Sequence, residues 1–432
     1  MAELVQRYLD RILAEHRDVT DGRLADYIPE LAAADPDGFS LSLSSSDGFI
    51  YQSGDAAAEF TIQSISKPFT YALALEAIGA DAVDARIGVE PSGEAFNEIS
   101  VDPTTKIPKN PMINAGAIAA VSLIPASSPD ERFAAIQDFY SAFAGRRLEL
   151  DEQVYASEKA TGSRNRAIGY MLASFGVLDD DPDEVLDVYC RQCSLRVTAT
   201  DLAKMGATLA RGGVNPQTGR RVSTAAVVKR TLSVMVTCGM YDAAGDWVSA
   251  VGMPAKSGVG GGIVAVLPGQ LGIGVYSPRL DAKGNSVRGV RVCRSLSDQL
   301  GLHFLNVACE SRSTLRASYE AHPGVRVYET HGDLLFSGAE QVLRIADRDR
   351  DGFEIAILDV SRVDDIDDAA RGLLSGMAAE LRAEGKAGYL VDPDGIVARN
   401  RPDLEAARYR SIADAVEAAA ARLKQRRRVS PR

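Results

Sequence analysis

Apolar residues recur at three- and four-residue spacing through MAELVQRYLDRILAEHRDV with charges between them, which predicts an amphipathic helix over 3–16. The same period returns over 69–79, 131–144, 183–191, 199–211 and 223–235. The pattern then shortens. WVSAVGMPAK (247–256), GGIVAVLPG (261–269) and LGIGVYSPRL (271–280) read as successive strands, joined by turns at Gly258 to Gly262 and at Pro268-Gly269. FSLSLSSSDG (39–48) alternates as an early strand should, and RGVRVCRSLSDQL supplies a closing helix. The expected class is α/β: an antiparallel sheet of the late strands with the early one, flanked by helices, beside a separate helical cluster.

Around residues 311–323 the pattern changes, and Pro323-Gly324 opens a new period. VRVYETHG, DLLFSG, the helix AEQVLRIADR, the apolar strand FEIAILDVS, the helix DAARGLLSGMAAELRAEG, the strand KAGYLVDP and a last helix from Ile412 follow in order. This is a compact βαβα unit after a leading strand. The expected division is 1–310 for the first domain, 311–323 for a linker, 324–428 for the second domain and 429–432 for a basic tail. At 432 residues, more than one core is the natural outcome.

Charge narrows the partners. A formal net charge of −11 disfavours nucleic acid, whose phosphates reward a basic face. No segment reaches the ~18 consecutive apolar residues of a membrane span, and ALALEAIGA carries Glu76. With no export signal at the N-terminus, a cytoplasmic protein is expected. Five cysteines, Cys190, Cys193, Cys238, Cys293 and Cys309, make no disulfide framework, and all are expected reduced.

Some chemistries find no support. His16, His303, His322 and His331 are scattered, and none accompanies a Gly-x-Ser-x-Gly elbow. Cys190 and Cys193 form one CxxC without a second pair, so neither a metal nor an organic cofactor is expected. SGVGGG (257–262) lacks the Gly-Lys-Ser/Thr ending of a phosphate loop and reads as a tight strand connection with exposed amides.

QSISKPF is different. Pro68 is tolerated only where a helix begins, so Ser64 and Lys67 sit in a helix-start turn, three residues apart and on one side. A hydroxyl beside an amine is one geometry for a nucleophile and its base. Ser-x-x-Lys alone is a loose motif whose ordinary reading is a cap and a surface lysine. Lys256-Ser257-Gly258, at the end of a strand, is the Lys-Ser/Thr-Gly element that accompanies Ser-x-x-Lys in serine acyl-transfer enzymes. Ser163-Arg164-Asn165 is a candidate for the Ser-x-Asn element between them.

ADYIPELA (25–32), FTIQSISKPFTYALALEAIG (60–79), EPSGEAFN (90–97), NPMINAGAI (110–118), SEKATGSRNRAI (157–168), VYCRQCSL (188–195), CGMYDAAGDW (238–247) and PAKSGVGGGI (254–263) together make residues 22–302 resemble the serine-dependent glutaminases, which share the β-lactamase fold. The resemblance implies hydrolysis of L-glutamine to L-glutamate and ammonia by a homo-oligomer, dimer or tetramer. It implies Ser64 as nucleophile and Lys67 as base, with Tyr241 in the proton relay and the Val259 N–H joining that of Ser64 as oxyanion donors. A lysine acts as base only when neutral, so Lys67 is expected desolvated, its pKa well below ~10.4. Glycines around Val259 suit an amide that must approach an oxyanion to ~3 Å. For the substrate's ammonium the resemblance implies Glu158, and for its carboxylate and amide Tyr27, Asn114, Asn165 and Tyr189, with Ser64, Tyr241 and Val259 also touching substrate.

HGDLLFSGAEQVL and FEIAILDVSRVDDIDDAARGLL make roughly 324–428 resemble a STAS domain, in which the corresponding helix start often carries a phosphorylated Ser or Thr. Asp368 and Ala369 stand there, so Ala369 excludes that switch and leaves Asp367 and Asp368 to cap the helix. A docking or oligomerisation module with an unidentified protein partner is the expectation. Two alternatives compete with the glutaminase: a β-lactam-binding serine acyl-enzyme, and a non-catalytic amino-acid sensor acting through the second domain.

Overall fold

The computed structural model describes residues 2–92, 101–307, 314–334, 336–366, 368–397 and 407–429. Contacts divide the chain into two compact units, Met1–Ala308 and Cys309–Arg432. The first contains a five-stranded antiparallel sheet built from β1 (Ser40–Ser45), β2 (Ile50–Gly54), β3 (Ala255–Ser257), β4 (Gly262–Leu267) and β5 (Leu271–Tyr276), in the order β2-β1-β5-β4-β3. The early strand thus pairs with the last of the late strands, as expected, and also with a hairpin partner, β2, that the sequence reading did not name.

Both sheet faces are buried, and the sequence alternates to suit two different neighbours. Leu41 and Leu43 face a core with Leu9, Ile12 and Leu13 of helix α1 (Ala2–Glu15). The other face is made of small residues: Ser42 pairs with Gly274 and Ser44 with Gly272. There α8 (Ala199–Ala210) lies almost on the backbone. A Cβ at Gly274 would stand 1.9 Å from Ala199 O, and one at Gly272 2.1 Å from Ala207 N, so any larger residue would push the helix off the sheet. Thr198 and Asp201 close a capping box at the start of α8, and the Arg146 guanidinium grips Asp201 at 2.9 and 2.7 Å.

The helical cluster comprises α2 (Lys67–Ile78), α3 (Asn114–Ser122), α4 (Pro129–Ala144), α5 (Glu152–Thr161), α6 (Ser163–Ser174), α7 (Pro182–Cys193) and α9 (Ala225–Cys238). Glu76, the charge interrupting the apolar run of α2, accepts from Ser223 Oγ at 2.7 Å and Thr224 N at 2.6 Å, so it ties α2 to the start of α9. Helix α10 (Val287–Leu300) closes the unit, with Val292, Cys293 and Leu296 in the core beside α1.

One strand reading is corrected. Residues 247–250, the first four of WVSAVGMPAK, belong to the helix Ala244–Ala250, and the strand is confined to Ala255–Ser257. The run is apolar without a strict period of two, and a helical turn buries both Trp247 and Val251 while Trp247 Nε1 reaches Met253 O at 2.7 Å.

The second unit is a five-stranded sheet of β6 (Leu315–His322), β7 (Val325–Leu334), β8 (Ile355–Ile366), β9 (Ala387–Val391) and β10 (Ala407–Tyr409), ordered β10-β9-β8-β7-β6. Only the β6/β7 hairpin is antiparallel. Helices α11 (Phe336–Arg348) and α12 (Asp368–Ala383) cover one face and α13 (Ile412–Val429) the other. Much of the segment expected as a linker is therefore strand: the Pro323-Gly324 turn sits inside a hairpin instead of opening the unit. The mixed exposure of β6 hid its period from the sequence. Asp367 and the side chains of Asp368 and Ala369, on which the capping expectation rests, lie outside the described residues, as does Cys309. No helix among the described residues is long and apolar enough to cross a membrane.

Candidate active site

Residues 63–66 form a 3-10 turn that runs directly into α2 at Lys67, with Pro68 in the first helical turn. Tyr140 OH donates to Ser66 O at 2.8 Å and Gln192 Nε2 to Ser66 Oγ at 3.4 Å. Ser66 makes no capping bond; its carbonyl and hydroxyl fasten the turn to α4 and α7.

Seven of the residues singled out in the sequence, Tyr27, Ser64, Asn114, Glu158, Asn165, Tyr189 and Val259, line a single cavity of about 520 Å³. Lys67 and Tyr241 do not line it: Lys67 begins the helix that follows the Ser64 turn, and Tyr241 bonds the Ser64 side chain. Lys67 is fully buried, and its Nζ donates to Asn114 Oδ1 at 2.6 Å. Asn114 Nδ2 donates in turn to Asn165 Oδ1 at 3.0 Å, and Tyr189 OH reaches Asn114 Oδ1 at 3.4 Å. The two asparagines therefore link the buried amine to the cavity wall.

Burial lowers the Lys67 pKa to about 8, because an ammonium without water or a carboxylate is costly. Cys193 would oppose this only as a thiolate, and burial raises its own pKa to about 12. Lys67 thus gives up its proton close to neutrality, which an exposed lysine does not.

Tyr241 adopts φ +53°, a left-handed conformation that non-glycine residues rarely hold, at the short 3-10 turn Tyr241–Ala243. Its hydroxyl donates to Ser257 O at 3.1 Å and shares a hydrogen bond with the Ser64 side chain. Burial, partly offset by those two bonds, raises its pKa to about 12, so the phenol keeps its proton.

At the cavity's other end, Tyr27 OH donates to Glu158 Oε1 at 2.7 Å and Gln63 Nε2 donates to the same oxygen at 3.1 Å. Burial raises the pKa of Glu158 despite those donors. A cation entering the cavity would favour its charged form, so the carboxylate suits an ammonium. Val259 packs its side chain on the Ile28, Leu31 and Val154 cluster. That contact anchors a loop in which a Cβ at Gly258 would meet Ile62 O at 3.1 Å and one at Gly260 would meet Thr61 O at 3.0 Å. The glycines are what let this loop run so close to the Ser64 turn.

Sequence reasoning passed over Gln63 and left three further residues, Cys190, Cys193 and Lys256, without a role of their own at the site. Gln63 is buried at φ +50° and orients Glu158, yet a neutral amide beside a serine carries no chemical signature. Cys190 and Cys193 line the cavity as small thiols on α7. Lys256 was noticed only as part of a motif, and it proves fully buried. Among the described residues no group of three or more His, Cys, Asp or Glu could hold a metal. The arrangement brings a serine hydroxyl, a buried lysine of lowered pKa, a buried phenol and the Glu158 carboxylate together, with Arg23, Asp26, Arg164 and Asp281 also on the cavity wall.

Comparison with known proteins points the same way. A family model for glutaminase matches residues 22–305. Glutaminase 2 of Bradyrhizobium diazoefficiens is 48% identical over 390 residues, covering 86% of this chain and 62% of that protein, so the chain spans less than two thirds of that relative's length. The glutaminase of Corynebacterium glutamicum is 45% identical over 396 residues, 91% of this chain and 95% of that protein. The crystal structure of Mglu in its glutamate form superposes with a TM-score of 0.82 at 41% identity, covering 91% of this chain and 99% of that one.

Proposed function

The chain belongs to the glutaminase family, and from that premise we propose that it hydrolyses L-glutamine to L-glutamate and ammonia through an acyl-enzyme on Ser64. The observation that carries this reading is Ser64 on the wall of the cavity, three residues from a fully buried Lys67 whose pKa, lowered to about 8, makes a neutral amine accessible near physiological pH. Lys67 Nζ takes the Ser64 proton as Oγ attacks the side-chain carbonyl carbon of glutamine. The oxyanion is received by the N–H groups of Ser64 and Val259. Collapse breaks the C–N bond, and the proton returns through Lys67 and Tyr241 to the departing nitrogen, which leaves as ammonia. Water then attacks the ester, gives a proton back along the same path and releases glutamate with Ser64 restored.

Substrate selection follows from the cavity wall. Glu158, oriented by Tyr27 and Gln63, pairs with the α-ammonium. Asn114, Asn165 and Tyr189 are neutral partners for the carboxylate and amide, and the cavity's length sets the discrimination against asparagine. No cofactor enters any step.

The second unit we assign as a STAS-like docking or oligomerisation module in a homo-oligomer. Its support is a mostly parallel sheet with two helices on one face and one on the other. Sedimentation velocity on the full chain tests the assembly, with a dimer or tetramer expected and a monomer at micromolar concentration contradicting it.

The deciding experiment for the activity is ammonia release from L-glutamine by the wild type and by Ser64→Ala, with melting curves to show equal folding. Turnover by the wild type and a loss of at least about 10³-fold in the variant are expected. Absence of turnover by folded wild type, with and without added phosphate, would leave a non-catalytic sensor instead.

A further inference from the structure

Each five-stranded sheet ends in two edge strands, β2 and β3 in the first unit and β6 and β10 in the second. An edge presents unpaired backbone N–H and C=O groups, so a folded chain shortens it, covers it or uses it. β3 and β10 are three residues each. β2 is capped by α1: Gln6 Nε2 donates to Gln52 O, and Gln52 N donates to Gln6 Oε1 at 3.4 Å. β6 has neither protection. It runs for eight residues without proline or lysine, pairs among the described residues with β7 alone, and leaves Arg316, Tyr319, Glu320 and Ala321 exposed.

The charges of β6 are self-complementary. Laid antiparallel against a second copy about Ser318, the strand sets Arg316 opposite Glu320 and Ala317 opposite Tyr319, and a two-fold axis repeats each pair. A two-residue slip either way puts Arg316 opposite Ser318 or His322 and breaks both ion pairs, so the charges select one register. Both groups have room for a second partner. Arg316 Nη1 meets Glu329 Oε2 at 3.0 Å with its side chain 48% exposed, and a guanidinium has further donors to offer. Glu320 Oε1 accepts from Gly324 N at 3.0 Å, which leaves its other oxygen to another donor. Resting on the reading of the second unit as an oligomerisation module, we propose that β6 is its association edge. It pairs antiparallel with β6 of a second copy of this chain, centred on Ser318, and joins their two five-stranded sheets into one. A second copy is the occupant because the strand's own charge pattern supplies its complement.

The test is sedimentation velocity across the micromolar range on the full chain and on Arg316→Glu, Glu320→Arg and the double swap, with melting curves for each. Either single variant sets like charges opposite one another at both pairs, so it should weaken association by about 10- to 10²-fold, reducing a dimer to monomer or a tetramer to dimer. The double swap should restore association to within about threefold of wild type. An equimolar mixture of the two single variants should also associate, because an acidic edge then faces a basic one. If a single variant does not fold, hydrogen exchange at residues 316–320 of the wild type decides: protection that rises with protein concentration supports the pairing, and exchange independent of concentration overturns it. A wild type that associates while both single variants associate equally well would overturn the proposal alone, as would a double swap that stays dissociated. A wild-type monomer would overturn it together with the oligomer reading, while the glutaminase reading still answers to the ammonia assay.

Discussion

The two units place their cations differently. In the first, Lys67 and Lys256 are sealed from water without a carboxylate partner, beside a polar cavity. In the second, cations stay within reach of acids: Arg326 pairs with Asp349 at 3.1 Å, Arg350 with Glu384 at 3.0 Å, and the interior cavity at Leu358, Leu374, Leu381 and Leu390 is apolar. Unpaired buried amines oppose folding by several kcal/mol each in ordinary proteins, so their retention in one unit marks where function overrides stability. The described core of the second unit is largely apolar, and its buried carboxylates, Asp359 and Asp392, are held by backbone N–H groups.

The comparison breaks most sharply at Lys67. Lys67→Met should reduce kcat by at least about 10³-fold and leave the melting temperature level or higher, because it removes the base together with its desolvation penalty. Lys67→Arg should be equally inactive at every pH, since a guanidinium does not give up its proton. Steady-state kinetics with parallel melting curves check both.

At Glu158 a smaller effect is expected. Glu158→Gln removes the charge that meets the substrate's ammonium and should raise KM by about 10–10²-fold, in line with the 1.5–3 kcal/mol of a charged hydrogen bond, with a lesser change in kcat. Glutaramate, which lacks the ammonium, should discriminate little between variant and wild type, a point measured by comparing kcat/KM for the two substrates.

The pH profile sharpens the account further. Below a pKa of about 8 Lys67 is an ammonium and cannot accept the Ser64 proton, so kcat/KM should fall tenfold for each pH unit below that value and level off above it. Tyr241, with its pKa raised to about 12, adds no limb between pH 6 and 10. A profile flat from pH 6 to 9 would show that a charged Lys67 suffices and that it is not the base.

The smallest effect on activity belongs to the second unit. Leu374→Ala opens its apolar core and should destabilise it by about 2–5 kcal/mol, while turnover per folded molecule stays within twofold. A proportional loss of kcat in the folded fraction would tie the two units together functionally.

Much of this was legible before any coordinates. SLSLSS and LGIGVY announced strands by strict alternation, and the Pro68 signal set the start of α2 where it is found. Ser64 and Lys67 stood out because proline fixed their local geometry. What escaped has a physical cause in each case. WVSAVGM is apolar under either period, so only the burial of Trp247 decides for a helix. β6 mixes exposed and half-buried positions and shows no alternation to read. Gln63 and Lys256 make their contacts with neighbours distant in sequence, Glu158 for one and Tyr241 for the other, and a tertiary contact of that kind leaves no mark on local pattern.

The central claim is a covalent glutamyl ester on Ser64, and partitioning with hydroxylamine tests it most directly. Glutamine is turned over in the presence of rising hydroxylamine, and glutamate and γ-glutamyl hydroxamate are measured together with the mass of the Ser64 peptide after acid quench. The account predicts that hydroxamate forms at the expense of glutamate in proportion to hydroxylamine, and that a glutamyl adduct appears on the Ser64 peptide and is absent in Ser64→Ala. Undiminished glutamate without hydroxamate, and an unmodified Ser64 peptide during steady turnover, would contradict it and point to direct attack by water.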